Sequence, residues 1–350
     1  MSIDKNMNTP GSGDVYSLAE AEDAALLAKD TQSLSQGQLV RRRFVAHKGA
    51  MISLGVLVFI TLFAYTSVGF AGVPGWWGKS YLDAATTVDG GRPTLSLIPQ
   101  WLGGSGIAWG DHPFGQENTG KDYFALVMRG TQKSIIIGVV VGIVATAIGA
   151  IIGAVAGYFR GWVDSILMRL TDLFIVIPLL VLAAVLGQMA GNLGGSIITL
   201  AVVLGLVTWT GLARLVRGEV LSLREREFVS AAQAMGAGSG RIIFKHLLPN
   251  TIGVIVVNAT FAIASAILLE SSLSFLGFGV QPPESSLGLL ISQYQNAFTN
   301  RPWLFWWPGM IILAIALSVN FIGDGLRDAF DPRQSRKHKR GLFGLTKAKG

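Results

Sequence analysis

The organisation of this chain is set by the stretch EFVSAAQAMGAGSGRIIFKHLLPN, residues 227–250, which lies between two apolar segments. It combines helix-forming small residues, three spaced glycines and basic side chains. From Glu227 to Met235 the apolar residues recur at steps of three and four, a spacing that predicts a helix with one small, mildly apolar face. That face consists of Phe228, Ala231, Ala232 and Met235. It suits a groove on another protein.

Three glycines follow the predicted helix and are expected to end it: Gly236, Gly238 and Gly240. A second short helix is predicted from Arg241 to Leu248. It stops at Pro249, whose missing N–H group suits the first turn of the apolar helix that comes next. The stretch is therefore predicted to fold as helix, turn and helix on a membrane surface.

The composition is typical of a polytopic membrane protein. Of 350 residues, 51% are hydrophobic and only 14% are charged, and the mean hydropathy is +0.51, which is too apolar for a soluble domain. The chain has no cysteine, which excludes disulfides, thiolate catalysis and Cys-based metal sites. Its four histidines are too scattered in sequence to suggest a metal cluster.

Six membrane spans are expected from the apolar runs. The long run 173–213 is divided into two helices at residues 187–195, and Pro178 is expected to kink the first of them. Asp172 is interpreted as a packing or interfacial residue, because no second acid lies near it in sequence. The six spans are residues 50–70, 134–158, 173–186, 196–213, 251–269 and 302–323.

Lys and Arg residues are unevenly distributed between the spans. The segments before span 1, between spans 2 and 3, between spans 4 and 5 and after span 6 are rich in these residues, and the other segments are neutral or slightly acidic. By the positive-inside rule, both termini and residues 227–250 are predicted to face the cytoplasm. The net charge of +7 is therefore interpreted as a topology signal and not as a nucleic-acid site.

Glycines in the second span are spaced for helix packing. Gly149, Gly153 and Gly157 fall four residues apart, so one face of that helix is expected to let a neighbouring helix approach closely.

An ordered motif occupies residues 227–250. It consists of Ser230-Ala231-Ala232, Gly236, Ile243 and Leu248-Pro249. This order closely resembles the signature loop of the membrane subunits of ATP-binding-cassette (ABC) importers. Ser230 departs from the Glu that is usual there, and Glu227 supplies an acid one turn earlier. In that family the loop forms the coupling helix, which docks into a cleft on the ATP-hydrolysing subunit, and residues 222–250 are here named the coupling loop.

Further motifs resemble one branch of that family, the second membrane subunit of the dipeptide/oligopeptide permeases. Lys121 replaces the usual Arg, and Leu287 stands before Gly288 where a Trp is usual. In order, the motifs are His112-Pro113-Phe114-Gly115, Gly120-Lys121-Asp122, Gly157-Tyr158-Phe159, Leu215-Val216-Arg217-Gly218, Ser272-Leu273-Ser274-Phe275-Leu276-Gly277, Gln281-Pro282-Pro283 and Gly323-Asp324-Gly325-Leu326-Arg327-Asp328.

The resemblance implies an all-α polytopic membrane protein with the six-helix fold of a type I ABC importer permease, in the bacterial cytoplasmic membrane. Its implied partners are a second permease, two ATPase subunits and an extracytoplasmic solute-binding protein. No cofactor is expected in this chain, with ATP and Mg²⁺ on the ATPase subunits. The solute is most simply a di- or oligopeptide, although relatives carry nickel, glutathione or a sugar. The implied coupling residues are Glu227, Ser230, Ala231, Ala232, Met235, Gly236, Ile243, Leu248 and Pro249.

Four regions follow from this interpretation. Residues 1–37 are expected to be a disordered cytoplasmic tail, 38–48 an interfacial amphipathic helix, 49–333 the permease domain with its coupling loop, and 334–350 a basic cytoplasmic tail. Glu227 is expected to anchor the coupling helix to its partner through charge. The alternative is that Glu227 only caps its own helix, a task that Glu225 and Ser222 are placed to share.

Two other classes of membrane protein compete with this interpretation. A secondary transporter needs charged residues or broken helices at mid-membrane for ion coupling, and the deep parts of the predicted spans offer only Asn258 and Asn320. A membrane enzyme needs an acid, base or metal constellation, and the sequence shows none.

Overall fold

The computed structural model describes residues 35–96, 106, 108–192 and 196–331. The predicted tails lie almost entirely outside these residues. Within them the chain is helical, with isolated β-bridges and no strand. The longer helices are α1 (Gln36–Ala46), α2 (Lys48–Ser67), α3 (Tyr123–Phe159), α4 (Gly161–Val176), α5 (Leu179–Asn192), α6 (Ile197–Thr208), α7 (Thr210–Arg224), α8 (Glu227–Ala234), α9 (Ile252–Phe275), α10 (Leu287–Tyr294) and α11 (Trp303–Phe330).

The number of helices able to cross a membrane fits the expected six spans. Four single helices are long and apolar enough: α2, α3, α9 and α11. Two bent pairs, α4 with α5 and α6 with α7, bring the total to six when each pair counts as one span. The first pair is bent by 89° and the second by 45°. Each of these two pairs is therefore bent within an apolar part of the chain.

The helix boundaries between residues 161 and 197 differ in part from those predicted. The predicted kink at Pro178 is confirmed and forms the break between the two helices. The division predicted at residues 187–195 begins later than expected, because α5 continues through Gly187 to Asn192 and α6 begins at Ile197. Gly187 instead allows the backbone at Phe278 to approach α5 closely, since a Cβ added at Gly187 would lie 2.8 Å from the backbone oxygen of Phe278.

Helix α3 is the centre of the packing and is longer than the predicted span. It begins at Tyr123 and not at Ser134, and Asp122 caps it by accepting a hydrogen bond from the first turn. Its first turns carry charge, and Lys133 lies 2.9 Å from Glu284. With 37 residues, α3 extends about 55 Å, well beyond the roughly 30 Å of a hydrocarbon layer.

The predicted glycine face of α3 packs on α7. A Cβ added at Gly153 would lie 2.4 Å from the backbone oxygen of Ala213, and one at Gly157 would lie 2.9 Å from Val220. Gly149 meets Leu212 in the same way. Side chains at these positions would force α3 and α7 apart, so the glycines set the spacing between the two helices.

Glu270 lies deeper in the packing than the sequence suggested. The fifth span was predicted to end at residue 269, but α9 continues to Phe275 and Glu270 is fully buried. The hydroxyls of Ser274 and Ser286 each donate to it at 2.7 Å, and that of Ser134 donates at 3.4 Å. These hydrogen bonds join α3, α9 and the start of α10, and they satisfy a carboxyl group that burial would otherwise penalise.

The segments predicted to be rich in Arg and Lys lie at one end of the helix bundle. Gly253, at the start of α9, packs against Phe330 at the end of α11. His47, between α1 and α2, lies 3.6 Å from Asp328. The coupling loop directly precedes α9, so it shares this end with α1 and with the end of α11.

Among the described residues, the opposite end is formed by 70–96 and 108–122 together with 276–302. Here the hydroxyl of Tyr294 donates to the carboxylate of Glu117 at 3.3 Å. Burial raises the pKa of Tyr294, and the neighbouring Glu117 raises it further. Tyr294 therefore stays protonated and acts as a hydrogen-bond donor across the pH range in which proteins are stable.

The predicted interfacial helix is displaced and partly covered. It was expected at residues 38–48, but α1 is Gln36–Ala46 and begins with a capping box made by Ser35 and Gln38. Arg43 on this helix donates to the backbone oxygen of Asp331 at 3.2 Å. One side of α1 is therefore held against the end of α11.

Candidate functional site

Helix α8 begins the coupling loop and has one face turned into the protein. Val229 is fully buried and Ala232 is 2% exposed. The sequence placed Ala232 on an outward face, and this is wrong, because its side chain packs inside the chain. Phe228 and Ala231 are exposed, and Met235 is 81% exposed. We name Phe228, Ala231 and Met235 the exposed strip.

Helix α8 ends at the predicted place. Gly236 has φ +79°, a left-handed conformation that favours glycine. The N–H of Gly236 donates to the backbone oxygen of Gln233 at 2.9 Å, and that of Ala237 donates to Ala232 at 3.0 Å. These two bonds form a Schellman motif, which fixes the direction of the chain after the exposed strip.

The second helical part of the coupling loop is longer than expected. It starts at Ser239 and not at Arg241, and a π-helical turn, Ile242–Leu247, leads into a last turn, Leu248–Asn250. Pro249 lies inside that last turn and is exposed, whereas it was expected to open the following helix. Helix α9 begins only at Ile252.

A buried apolar cluster fastens the coupling loop to the membrane helices. We name it the anchor cluster. It joins α8 and the second helical part of the loop to α3, α7 and α9. Its buried members are Ala150, Ala154, Tyr158, Leu212, Val216, Val220, Val229, Ile242, Ile243, Leu247 and Ile255. Ile243, predicted as a coupling residue, therefore acts from inside the loop, and Leu248 packs half-buried against the cluster.

The sequence contains an apolar pattern that indicates the anchor cluster. Ile242, Ile243 and Leu247 follow the third glycine and are all buried. An apolar group of this kind on a short helix indicates a face that packs on something. The pattern alone does not distinguish packing on this chain from packing on a partner protein. In the structure, the three residues pack on helices of this chain.

Arginines around the loop make ion pairs and hydrogen bonds within the chain. Arg160 lies 2.5 Å from Glu225, and Arg224 donates to the backbone oxygen of Tyr158. Arg217 donates two hydrogen bonds to one carboxylate, that of Asp164, at 2.5 and 2.6 Å. These contacts link the end of α3, the start of α4 and the whole of α7.

Asp172 has the packing role that the sequence suggested. Its carboxylate lies 2.5 Å from Arg214, which stands one turn before Arg217 on α7. The two arginines of α7 therefore pair with two acids of α4, Asp164 and Asp172. Helix α4 is thus held beside α7 by a ladder of opposite charges.

Glu227 is the first residue of α8 and is exposed. Its neighbour Arg226 occupies the N-cap position without a side-chain hydrogen bond to the helix. Glu225, which was considered as a second capping residue, pairs with Arg160 instead. Among the described residues Glu227 has no hydrogen-bond or ion-pair partner, so its carboxylate faces outward at the positive end of the helix dipole.

The predicted coupling residues therefore fall into two groups. Ala232 and Ile243 are buried and Leu248 is half-buried, so they shape the loop. The remaining ones form the outer surface of the loop: Glu227, Ser230, Ala231, Met235, Gly236 and Pro249. Phe228 belongs with the outer group, although the motif alone did not select it. Such a surface is suited to binding a protein. Within the described part of the chain, no group of three or more His, Asp or Glu residues could hold a metal ion.

Comparisons with known proteins place this geometry in a family. Residues 145–336 match the family described as "Binding-protein-dependent transport system inner membrane component", and residues 35–74 match the "N-terminal TM domain of oligopeptide transport permease C". A putative peptide permease protein of Brucella ovis is 43% identical over 316 residues, covering 89% of this chain and 97% of that protein.

Two further relatives carry the name "Oligopeptide transport system permease protein OppC". The one from Mycobacterium tuberculosis is 39% identical over 312 residues, covering 89% of this chain and 99% of the relative. The one from Escherichia coli K12 is 39% identical over 304 residues, covering 87% of this chain and 93% of the relative. The match therefore includes both ends of the helix bundle and the coupling loop.

The burial of Ala232 predicts the outcome of a charge substitution on α8. Ala232→Glu places an unpaired carboxylate among apolar groups, so we expect it to lower the free energy of unfolding by roughly 3–5 kcal/mol. Ala234→Glu, on the exposed side of the same helix, should change it by less than about 0.5 kcal/mol. Thermal unfolding of the purified chain in detergent, without partner subunits, measures both. Equal midpoints for the two variants would contradict the inward orientation of Ala232.

Proposed function

This chain belongs to the family of binding-protein-dependent transport system inner membrane components, and from that membership we propose that it is a permease subunit of an ABC importer for di- or oligopeptides. Two observations support this proposal. Peptide-permease relatives align with nearly the whole chain. The coupling loop presents an exposed apolar surface on a firmly held base.

The observation that carries the coupling role is the contrast between the two sides of α8. One side is locked to α3, α7 and α9 through the anchor cluster, and the other side presents the exposed strip. An exposed apolar patch supported by a rigid element is typical of a protein interaction site. The occupant that fits it is the cleft of an ATPase subunit, as the resemblance of the motif implies.

The mechanism we propose is alternating access driven by the ATPase subunits. ATP and Mg²⁺ bind to those subunits, and closure of the ATPase pair moves the coupling loop. Because the anchor cluster joins the loop to three helices, the loop and these helices move as one body. The bent pairs, α4 with α5 and α6 with α7, supply the bends about which the helices move. This movement opens the transport pathway to one side of the membrane or to the other.

The complete importer in this proposal contains a second permease, two ATPase subunits and an extracytoplasmic binding protein that delivers the peptide. It lies in the bacterial cytoplasmic membrane. Both termini and the coupling loop face the cytoplasm, and residues 70–122 face the opposite side. This orientation is supported by the Arg-rich end of the bundle, which includes α1, the loop and the end of α11.

Thiol labelling tests the orientation. The native chain has no cysteine, so single cysteines introduced at two exposed positions, Asn118 and Ser222, report separately. In intact cells an impermeant maleimide should label Asn118→Cys and should not label Ser222→Cys until the membrane is opened. The reverse pattern would contradict the orientation and, with it, the proposed docking of ATPase subunits on the coupling loop.

A binding titration tests the docking surface. Met235→Glu places a charge where an apolar side chain is to be buried, so the affinity for the ATPase subunit should fall roughly ten- to one hundred-fold. Glu227→Gln should weaken binding several-fold, because it removes a charge that is free to pair with a basic group of the partner. The measurement is titration of the purified permease pair with the ATPase subunit.

Two control variants make the titration specific. Gln233→Glu adds a charge on the flank of α8 opposite the exposed strip, and Glu225→Gln removes a charge that already pairs within the chain. Both should bind like the wild type. The docking assignment is wrong if Met235→Glu retains wild-type affinity. Glu227 is only a helix cap if its variant behaves like Glu225→Gln.

A further inference from the structure

A cavity of about 470 Å³ opens where the two broken spans meet. It lies between α3, α9 and both helix breaks. The first break contributes Ile177 and Pro178, and the second contributes Thr208 and Thr210. Its volume falls within the range of roughly 300–1,000 Å³ that is typical of small-molecule sites.

The helix breaks place backbone polar groups at the border of this cavity. A helix that is interrupted in the membrane leaves backbone N–H and C=O groups without their usual partners, and hydrocarbon cannot satisfy them. Such breaks are tolerated where they are buried in protein or line an aqueous cavity. Here both breaks border the same cavity, so water in the cavity can satisfy the groups that the breaks release.

Polar side chains in the cavity also lack partners. Most hydroxyls on the membrane helices bond back to their own helix, as Thr208 does to the backbone oxygen of Leu204 at 3.0 Å. The hydroxyls of Thr146 and Ser265 make no hydrogen bond with any described residue, and the Thr146 oxygen is fully buried. Asn258 donates to Val254 at 2.8 Å, which leaves its side-chain oxygen free as an acceptor.

The lining is uncharged. All the residues that the structure places around the cavity are apolar or neutral, with Phe174 and Phe261 as the largest apolar surfaces. Free hydroxyls and an amide oxygen are the groups that exchange hydrogen bonds with peptide N–H and C=O groups. Because every peptide has the same backbone, such a lining accepts peptides of different sequence. A charged lining would select among their side chains.

We propose that this cavity is the chain's share of the peptide passage, and that Thr146, Asn258 and Ser265 bind the backbone of the peptide during transport. This proposal rests on the proposed function as a peptide importer. A lipid chain or a helix of the second permease are the other candidate occupants. An aqueous passage differs from both because it admits a water-soluble, charged reagent.

Cysteine accessibility in the assembled transporter tests the occupant. Thr146→Cys and Ser265→Cys should react with a negatively charged methanethiosulfonate, whereas Ile151→Cys, which is exposed on another side of α3, should not. The peptide that is taken up best from a set of alanine di- to pentapeptides should slow the reaction at both cavity positions. Failure of both positions to react means that lipid or protein fills the cavity, which overturns the proposal. Reaction that the peptide leaves unchanged overturns the peptide contact.

Uptake of labelled alanine peptides tests the cavity assignment separately from the proposed function as a peptide importer. In proteoliposomes with the binding protein, Asn258→Leu should raise the KM several-fold for all the peptides of the set, with little change in ATPase assembly. Asn320→Leu, a matched change on α11 outside the cavity, should behave like the wild type. If the wild type transports none of the peptides, the proposed function fails. If it transports them and Asn258→Leu is unchanged, only the cavity assignment fails.

Discussion

The structure depends above all on apolar packing between the coupling loop and the helices behind it. Each Val, Leu or Ile side chain buried in the anchor cluster contributes about 1.5–3 kcal/mol, whereas an exposed ion pair contributes about 0–1 kcal/mol. Val229, Ile242, Ile243 and Leu247 are all buried there. They therefore hold the loop far more firmly than the exposed pair Arg160–Glu225. A loop held in this way moves together with the helices on which it packs.

The glycine face of α3 extends this rigidity along the bundle. Gly149, Gly153 and Gly157 bring α7 close to α3 along the anchor cluster, where they meet Leu212, Val216 and Val220 of that cluster. At the far end of α3 the Glu270 hydroxyl cluster ties α9 and α10 to the same helix. The rigid parts thus lie around α3, and the bends lie at Pro178 and Trp209. This division between a stiff centre and bent neighbours is what alternating access requires.

Local features of the fold could be predicted from the sequence. The end of α8 at Gly236, the kink at Pro178 and the glycine face of α3 each follow from the stereochemistry of one residue type or from its spacing. The family resemblance was equally accessible, because it rests on motifs that can be read in order. The number of spans followed from the lengths of the apolar runs.

Features that depend on the neighbours of a residue could not be predicted. Ala232 and Ala231 are the same amino acid on one helix, and only the side of α8 that faces the rest of the chain decides which of them is buried. Gly187 was expected to break a helix, but it serves a close approach of Phe278. Glu270 directly follows the span predicted at 251–269, and its burial could not be predicted because it depends on α3, whose Ser134 lies 136 residues away in sequence.

The most direct test of rigid coupling is to tie the loop to α3 by a covalent bond. The side chains of Arg160 and Glu225 form an ion pair, so Arg160→Cys and Glu225→Cys can be joined by a bis-methanethiosulfonate linker long enough to replace both side chains. The chain has no other cysteine. ATP-driven uptake by the assembled transporter is then measured before linking, after linking and after reduction. If the loop and α3 move as one body, uptake after linking equals uptake before it. Loss of uptake on linking, restored by reduction, would show that the loop moves against α3 and would contradict the account.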